Sequence, residues 1–218
     1  MVAPSLNGSK VLIRQLDSSV FDDYWRLLHD EEVARWTGPS QSLTESKVLY
    51  WLQTRVEKDD RFDWAIFDSS TAAFAGEIVL NELDAENRSM NVRVALLTEF
   101  QNRGLGSEAM QLVCEYALES LKLGEITLGV MVENLRAQRS YKKCGFVPGE
   151  QYVEDGIASR DVAEAHGLDH DHATQVWFPR KCEMPPRREA FLLWRLGGSN
   201  PECRIAIRDS GLQARDRQ

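Results

Sequence analysis

The chain has 218 residues, of which 43% are hydrophobic and 28% charged, and its formal net charge is −8. It is long enough for one sizeable core and too apolar for a wholly disordered chain. No apolar run is long enough to span a membrane, and the N-terminus lacks a basic-then-apolar signal peptide, so we expect a cytoplasmic protein without membrane binding. The acidic balance disfavours a dedicated nucleic-acid binder. The four cysteines, at 114, 144, 182 and 203, lack CxxC spacing, which argues against a disulfide framework or a zinc site.

The first half of the chain alternates between strand and helix patterns. A strand is predicted over residues 11–16, and an apolar helical stripe then runs through Val20, Tyr24, Leu27 and Leu28. The remaining elements of this half are, in chain order, a loop or short helix over 30–39, a helix after the capping-box spacing at 42–45, and strands over 64–67, 74–83 and 90–97. The last two strands, joined by turn residues, predict an antiparallel hairpin.

The segment after residue 97 has the clearest order. A helix with apolar positions from Ala109 to Leu121 follows the run QNRGLG, and Gly124 is predicted to end it in a left-handed cap. A short apolar strand follows over 126–132, then a helix capped by Asn134 and stopped by Gly145. The strand–helix–strand order over 90–132 predicts a parallel strand pair with a right-handed crossover.

Periodicity weakens after residue 149. We expect a single domain over residues 1–196, with its core over 10–150 and a flexible tail over 197–218. Late strands are predicted over 174–178 and 191–196. About forty residues separate the better candidate, 191–196, from Phe146, so the order of the final strands in the sheet is open. The spacing of His166, His170 and His172 is poor for a metal site, and a solvated polar loop is the better interpretation.

The residues Gln101 to Ser107 place two glycines in a tight strand-to-helix turn. Free N–H groups at a helix start, together with the helix dipole, can bind an anion of pyrophosphate size. A plain glycine turn that packs the helix on the strand explains these residues equally well. The run is neither a P-loop nor the dinucleotide GxGxxG fingerprint; its pattern is Q-x-x-G-x-G.

This pattern, in its strand-to-helix context, resembles motif A of the GNAT superfamily of acetyl-CoA-dependent N-acetyltransferases. The run N-x6-Y-x3-G-F, from Asn134 through Tyr141 to Gly145-Phe146, resembles motif B of the same superfamily. The stretches VLIRQL, EEVARWTG and FAGEIVLNELDAENRSMNVRVAL are similar to the branch that includes the ribosomal-protein N-terminal acetyltransferases. The resemblance covers about residues 10–150.

The resemblance implies an α/β (α+β) fold, with a mixed and mostly antiparallel sheet, a splayed parallel strand pair and helices on both faces. Pantetheine would pair with backbone near Leu96 and Leu97, and Asn134 would hydrogen-bond it. Tyr141 would stand near the thioester sulfur. The pyrophosphate would sit on the amides of the Gly-rich turn, so the cofactor-binding residues also include Gln101, Asn102, Arg103, Gly104, Leu105, Gly106 and Ser107. Each of three residues also has a purely structural interpretation. Asn134 could be only a helix cap, Tyr141 a core aromatic residue and Arg103 a solvated charge.

Acetyl transfer to an amine needs a base, because an ammonium ion has no lone pair, and an acid for the departing thiolate. Tyr141 suits the acid. Glu77 and Glu82 are the candidate bases; strand alternation puts them on opposite faces, and Glu82, near the strand end, is slightly favoured. Surface carboxylates on a hairpin are an equally good interpretation of both.

The leading hypothesis is therefore direct acetyl transfer from acetyl-CoA to a primary amine of a small molecule or a protein N-terminus, with no covalent acyl-enzyme and no metal. The alternative is a non-catalytic acyl-CoA-binding or regulatory module on the same fold. The acceptor stays unidentified and the oligomeric state stays open, with a homodimer as one option.

Overall fold

The computed structural model describes residues 1–37, 43–131, 133–154 and 189–197. It has eight strands in these ranges: β1 Leu6–Asn7, β2 Val11–Gln15, β3 Phe62–Asp68, β4 Phe74–Asp84, β5 Ser89–Leu96, β6 Glu125–Met131, β7 Val147–Glu154 and β8 Glu189–Gly197. The α-helices in the same ranges are α1 Phe21–Leu28, α2 Glu31–Thr37, α3 Glu45–Thr54, α4 Leu105–Glu115 and α5 Leu135–Lys143. None of the described helices is long and apolar enough to cross a membrane.

The strands form one sheet in the order β1-β2-β3-β4-β5-β6-β8-β7. β5 and β6 are parallel, and every other neighbouring pair is antiparallel. This confirms the predicted mixed sheet with one parallel pair. β8 lies between β6 and β7, so the order of the late strands, which the sequence left open, is now defined. Gly197 is the last residue of β8, one position beyond the predicted domain boundary.

Two apolar clusters lie on opposite faces of the sheet. On one face α4 packs over strands β2 to β6 through residues such as Met110, Val113 and Trp64. On the other face α1, α2 and α3 pack through Tyr24, Leu27 and other side chains. Strand β3 is buried along its whole length because both faces are covered. Helices on both faces were expected, and the structure confirms them.

The end of α4 differs from the prediction. A π-helical turn over Tyr116–Ser120 extends the helix, and Lys122, with φ of 57°, takes the left-handed conformation assigned to Gly124. The Gly124 amide instead donates to the Arg88 carbonyl at 2.7 Å. Gly145 does end α5 with φ of 89°, as predicted. The predicted strand over 174–178, the three-histidine loop and residues 198–218 lie outside the described residues.

Candidate active site

A cleft opens where β5 and β6 separate. The two strands pair only from Ser89 to Asn91 on β5, and β6 then continues its pairing with β8 alone. The Leu97 amide points to β4, because it donates to the Ala75 carbonyl at 2.9 Å. Backbone groups alternate in direction along a strand, so those of Val94 and Leu96 point the other way, toward the cleft. The open edge for an extended ligand is therefore the backbone of Val94 and Leu96.

Leu97 differs from the expectation on this point. Its N–H donates to β4, and its carbonyl accepts from Phe100 N at 2.9 Å. Both backbone groups of Leu97 are thus engaged inside the chain, and its side chain is buried with the α1–α3 cluster. Of the two predicted backbone partners for pantetheine, Leu96 keeps a free N–H, while its carbonyl accepts from the Gln101 side chain at 2.9 Å.

The Gly-rich turn presents a row of unbonded amides. Gly104 has φ of 84° and caps α4, and Asn102 also adopts a left-handed conformation with φ of 59°. Among the described residues, no acceptor is found for the N–H groups of residues 102–107. Leu105 is itself buried in the core, so it offers only its amide. The turn combines free donors with the positive end of the α4 dipole, as an anion site requires.

Side chains of the same turn fix its shape. Gln101 also accepts a hydrogen bond from Arg136 of α5, so it ties the turn to both β5 and α5. The Ser107 hydroxyl lies 2.9 Å from the Ser140 hydroxyl. Arg103 is not a free solvated charge, because its guanidinium donates to Asp68 at the end of β3. These contacts hold the turn against three neighbouring elements and leave the amides as its exposed donors.

A Cβ on Gly106 would lie 3.1 Å from Leu96 Cδ1. The glycine therefore also serves the close packing of α4 on β5, which was the plain alternative for this motif. The two interpretations are compatible, since the helix start must approach β5 closely for its amides to reach a ligand lying along that strand.

Asn134 caps α5, as predicted. Its side-chain oxygen accepts from the Ala137 amide at 3.0 Å, and the residue is buried. Its side-chain nitrogen has no acceptor among the described residues. The cap and the proposed contact to pantetheine use different atoms, so one role does not exclude the other.

Tyr141 lies one residue after Ser140, which contacts the first turn of α4. Its ring packs against the core beside Phe146, with ring centroids 6.3 Å apart. The hydroxyl has no hydrogen-bond partner in the described part of the chain. Burial raises the pKa of Tyr141 to about 12, and nearby Cys144 adds to the increase, so the phenol stays protonated at neutral pH.

The two candidate bases occupy very different environments. Glu77 lies opposite Ala95 of β5, is only 6% exposed, and accepts a hydrogen bond from the Tyr24 hydroxyl at 3.0 Å. Glu82 is exposed, has φ of 58°, and lies in a bulge where β4 loses register with β5. The bulge breaks the strand alternation from which opposite faces were inferred. Glu82 therefore lies near the paired end of the cleft, and Glu77 lies beside its open end.

The sequence analysis missed a buried polar network on the same face as Glu77. Arg55 donates to Asp63 at 2.9 Å, and Arg61 donates to the same carboxylate at 2.8 Å. Burial would raise the pKa of Asp63, but these guanidiniums lower it below its usual range. The half-buried Arg93 belongs to the same region. Burial lowers the pKa of Arg93, and the nearby negative charge of Glu77 partly offsets this effect. The only local signal in the sequence was the spacing of Arg61 and Asp63, two positions apart at the start of β3.

The family model described as the acetyltransferase (GNAT) domain matches residues 10–147. The chain belongs to the GNAT acetyltransferases. As a GNAT acetyltransferase it takes acetyl-CoA as co-substrate and acetylates amines, so the non-catalytic alternative is set aside.

Sequence relatives carry the same activity in their names. The chain is 28% identical over 167 residues to the probable N-acetyltransferase YjcK of Bacillus subtilis, covering 72% of this chain and 81% of that protein. It is 27% identical over 117 residues to the spermidine N(1)-acetyltransferase of Vibrio cholerae and 31% identical over 118 residues to that of Escherichia coli K12. The Vibrio cholerae match covers 54% of this chain and 66% of that relative, and the Escherichia coli match covers 48% and 63%. The chain therefore spans less than two thirds of the length of either spermidine acetyltransferase.

Solved structures share the fold of this GNAT acetyltransferase at low identity. The spermidine N-acetyltransferase of Vibrio cholerae in complex with CoA and spermine matches with a TM-score of 0.69 and 17% identity, over 88% of this chain and 98% of that one. A protein from the same organism described as a ribosomal-protein-serine acetyltransferase matches with a TM-score of 0.65 and 13% identity, over 90% and 99% of the two chains.

Proposed function

We propose that this GNAT acetyltransferase transfers the acetyl group directly to the primary amine of a small polyamine-like molecule, with Glu77 as the base and Tyr141 as the acid. The observation that carries the mechanism is the composition of the open cleft. Unbonded amides at the α4 start and the free N–H of Leu96 lie on its β5 side. On the other side α5, which carries the unpartnered phenol of Tyr141, follows β6 in the chain. A buried carboxylate lies one strand away.

Glu77 is the better base for a geometric reason. It lies directly across from Ala95, whose small side chain leaves room for the carboxylate to reach the cleft. The hydrogen bond from the Tyr24 hydroxyl fixes the orientation of the carboxylate. A carboxylate held in this way can take the ammonium proton, directly or through a water, before the amine attacks the thioester carbon.

Tyr141 then donates its proton to the thiolate that leaves when the tetrahedral intermediate collapses. Its high pKa keeps the proton available at neutral pH. The cysteines of the described part are poor nucleophiles, because burial raises the pKa of Cys144 to about 11 and that of Cys114 further. This supports direct transfer without an acyl-enzyme.

A polyamine-like acceptor is supported by an acidic depression of about 540 Å³ lined by Asp30, Glu31, Glu32, Arg35 and Thr98. It lies at the start of α2, and Asp30 ties it to the end of β5 by accepting from the Thr98 amide at 2.9 Å. The lining holds three carboxylates and one guanidinium, and Arg136 of α5 pairs with one of the carboxylates, that of Glu32, at 3.4 Å. The negative charge that remains favours a cationic ligand. The spermidine acetyltransferases among the sequence relatives point to the same acceptor class.

The test is thiol release from acetyl-CoA with spermidine, spermine and a peptide with a free N-terminus, each at several concentrations. We expect kcat/KM for a polyamine to exceed that for the peptide at least tenfold. The Glu31→Gln variant should raise KM for the polyamine a few-fold, whereas Glu86→Gln, in the exposed β4–β5 turn, should not. A preference for the peptide, or an unchanged polyamine KM in Glu31→Gln, would overturn the acceptor assignment.

A further inference from the structure

Lys10 lies against the start of α4, although 94 positions separate it from Gly104 in the sequence. A Cβ built on Gly104 would be 3.0 Å from Lys10 Nζ. Lys10 forms no ion pair with any described residue. A free ammonium group therefore lies beside the row of unbonded amides at residues 102–107.

This position is unfavourable for a cation in the free protein. The N-terminus of a helix carries about half a positive elementary charge, and a second positive charge beside it is repelled. A bound anion between the two converts the repulsion into two attractions. Arg103, the basic residue within the motif, already donates to Asp68, so Lys10 is the ammonium that remains for a ligand.

Glu108 holds Lys10 in this place. Its carboxylate, in the first turn of α4, accepts from the amides of Ser9, Lys10 and Val11 at 3.0, 2.7 and 3.0 Å. It also accepts from the Ser9 hydroxyl at 2.6 Å. From the other side, the Lys10 carbonyl accepts from Ser69 N at 2.8 Å. The backbone of Lys10 is thus fixed relative to α4 by four independent contacts to one carboxylate and one to the β3–β4 turn.

We infer that Lys10 binds the pyrophosphate of acetyl-CoA, and that Glu108 is a positioning residue that acts through Lys10. The ammonium group contributes a charge-assisted hydrogen bond to the same phosphate oxygens that the α4 amides bind. Lysine supplies a point charge on a flexible stem, which suits a ligand that must enter and leave. The inference requires only cofactor binding, so it stands apart from the identity of the acceptor.

The first experiment measures binding by calorimetry in the Lys10→Gln variant of the full chain, with CoA, 3′-dephospho-CoA and S-acetylpantetheine as probes. We expect Kd to rise about tenfold for CoA and for 3′-dephospho-CoA, which both carry the pyrophosphate, and to stay unchanged for S-acetylpantetheine. The rise should shrink at high salt. Lys58→Gln, an exposed lysine before β3, is the control and should bind all three as the parent does.

Three outcomes would overturn the assignment. The first is an unchanged CoA affinity in Lys10→Gln. The second is a loss with CoA that vanishes with 3′-dephospho-CoA, which would assign Lys10 to the 3′-phosphate. The third is an equal loss with S-acetylpantetheine, which would show a general effect on the fold. Because each readout is binding, a failed acceptor assignment would leave all three results interpretable.

The role of Glu108 is tested by a double-mutant cycle. Glu108→Ala should weaken CoA binding several-fold in the parent but cause no loss in the Lys10→Gln background. Melting temperature should fall by a similar amount in both backgrounds, because the four contacts to residues 9–11 are lost in each. An equal loss of CoA affinity in both backgrounds would show that Glu108 does not act through Lys10.

Discussion

The Asn134 side-chain oxygen accepts a hydrogen bond from the Ala137 amide at 3.0 Å, while its side-chain nitrogen has no acceptor among the described residues. The Asn134→Asp variant tests the two functions of this side chain independently, because it keeps the capping oxygen and removes the N–H donor. Aspartate is as good an N-cap as asparagine, so stability should stay within about 0.5 kcal/mol of the parent. It lacks the N–H donor, so acetyl-CoA should bind about tenfold more weakly. Calorimetry beside a melting curve measures both, and an unchanged affinity would leave Asn134 as a cap only.

The base assignment predicts a contrast between two conservative variants. Glu77→Gln keeps an acceptor for the Tyr24 hydroxyl but cannot take a proton, so kcat should fall about 10²–10⁴-fold with little change in acetyl-CoA affinity. Glu82→Gln, at the exposed bulge, should retain nearly full kcat. Steady-state kinetics with the best acceptor compares them. The reverse result would restore Glu82, which the sequence slightly favoured.

Tyr141→Phe keeps the ring that packs beside Phe146 and removes only the unpartnered hydroxyl. If the phenol protonates the leaving thiolate, kcat should fall about 10²-fold or more while acetyl-CoA affinity and melting temperature stay near the parent values. A turnover within about threefold of the parent, in a folded variant, would show that water or another group supplies the proton.

The pH profile gives an independent check on the acid. Because burial raises the pKa of Tyr141 to about 12, the phenol keeps its proton throughout the range from pH 8 to 10. The rate should therefore rise as the amine acceptor is deprotonated, with no loss assignable to Tyr141 below pH 10. A decline between pH 8 and 10 that is absent from Tyr141→Phe would contradict this protonation state.

Stability should fall as the solution becomes alkaline. Burial raises the folded-state pKa of Cys114, Cys144, Tyr24 and Tyr141 above their unfolded values. For such groups the unfolded state loses its protons first, so the stabilisation is complete below the unfolded pKa, about 8.5 for cysteine, and declines as pH rises past it. Urea unfolding at pH 7, 9 and 10 should show the decline, and Cys114→Ala should make it shallower between pH 8 and 10. If the free energy of unfolding falls equally steeply with pH in both proteins, Cys114 does not contribute to the decline.

Local patterns determined much of this protein. Four features that depend on residues within a few positions of one another were all predicted: the Asn134 cap, the Gly145 stop, the tight turn at Gly104 and the β4–β5 hairpin. The same short-range chemistry supported the resemblance to GNAT acetyltransferases, whose acetyl-CoA motifs are continuous in sequence. Local patterning misplaced the left-handed residue after α4, where a π turn shifted it to Lys122.

Only the tertiary structure decided which distant residues meet. Sheet register sets Glu77 opposite Ala95, and a bulge turns Glu82 away from simple alternation. The contacts of Asp68 with Arg103 and of Lys10 with the α4 start join residues 35 and 94 positions apart. Such pairs leave no periodic signal in the sequence, because they depend on how strands align and where helices pack. The sequence therefore determined the chemistry of each motif, and the fold determined which side chains share the cleft.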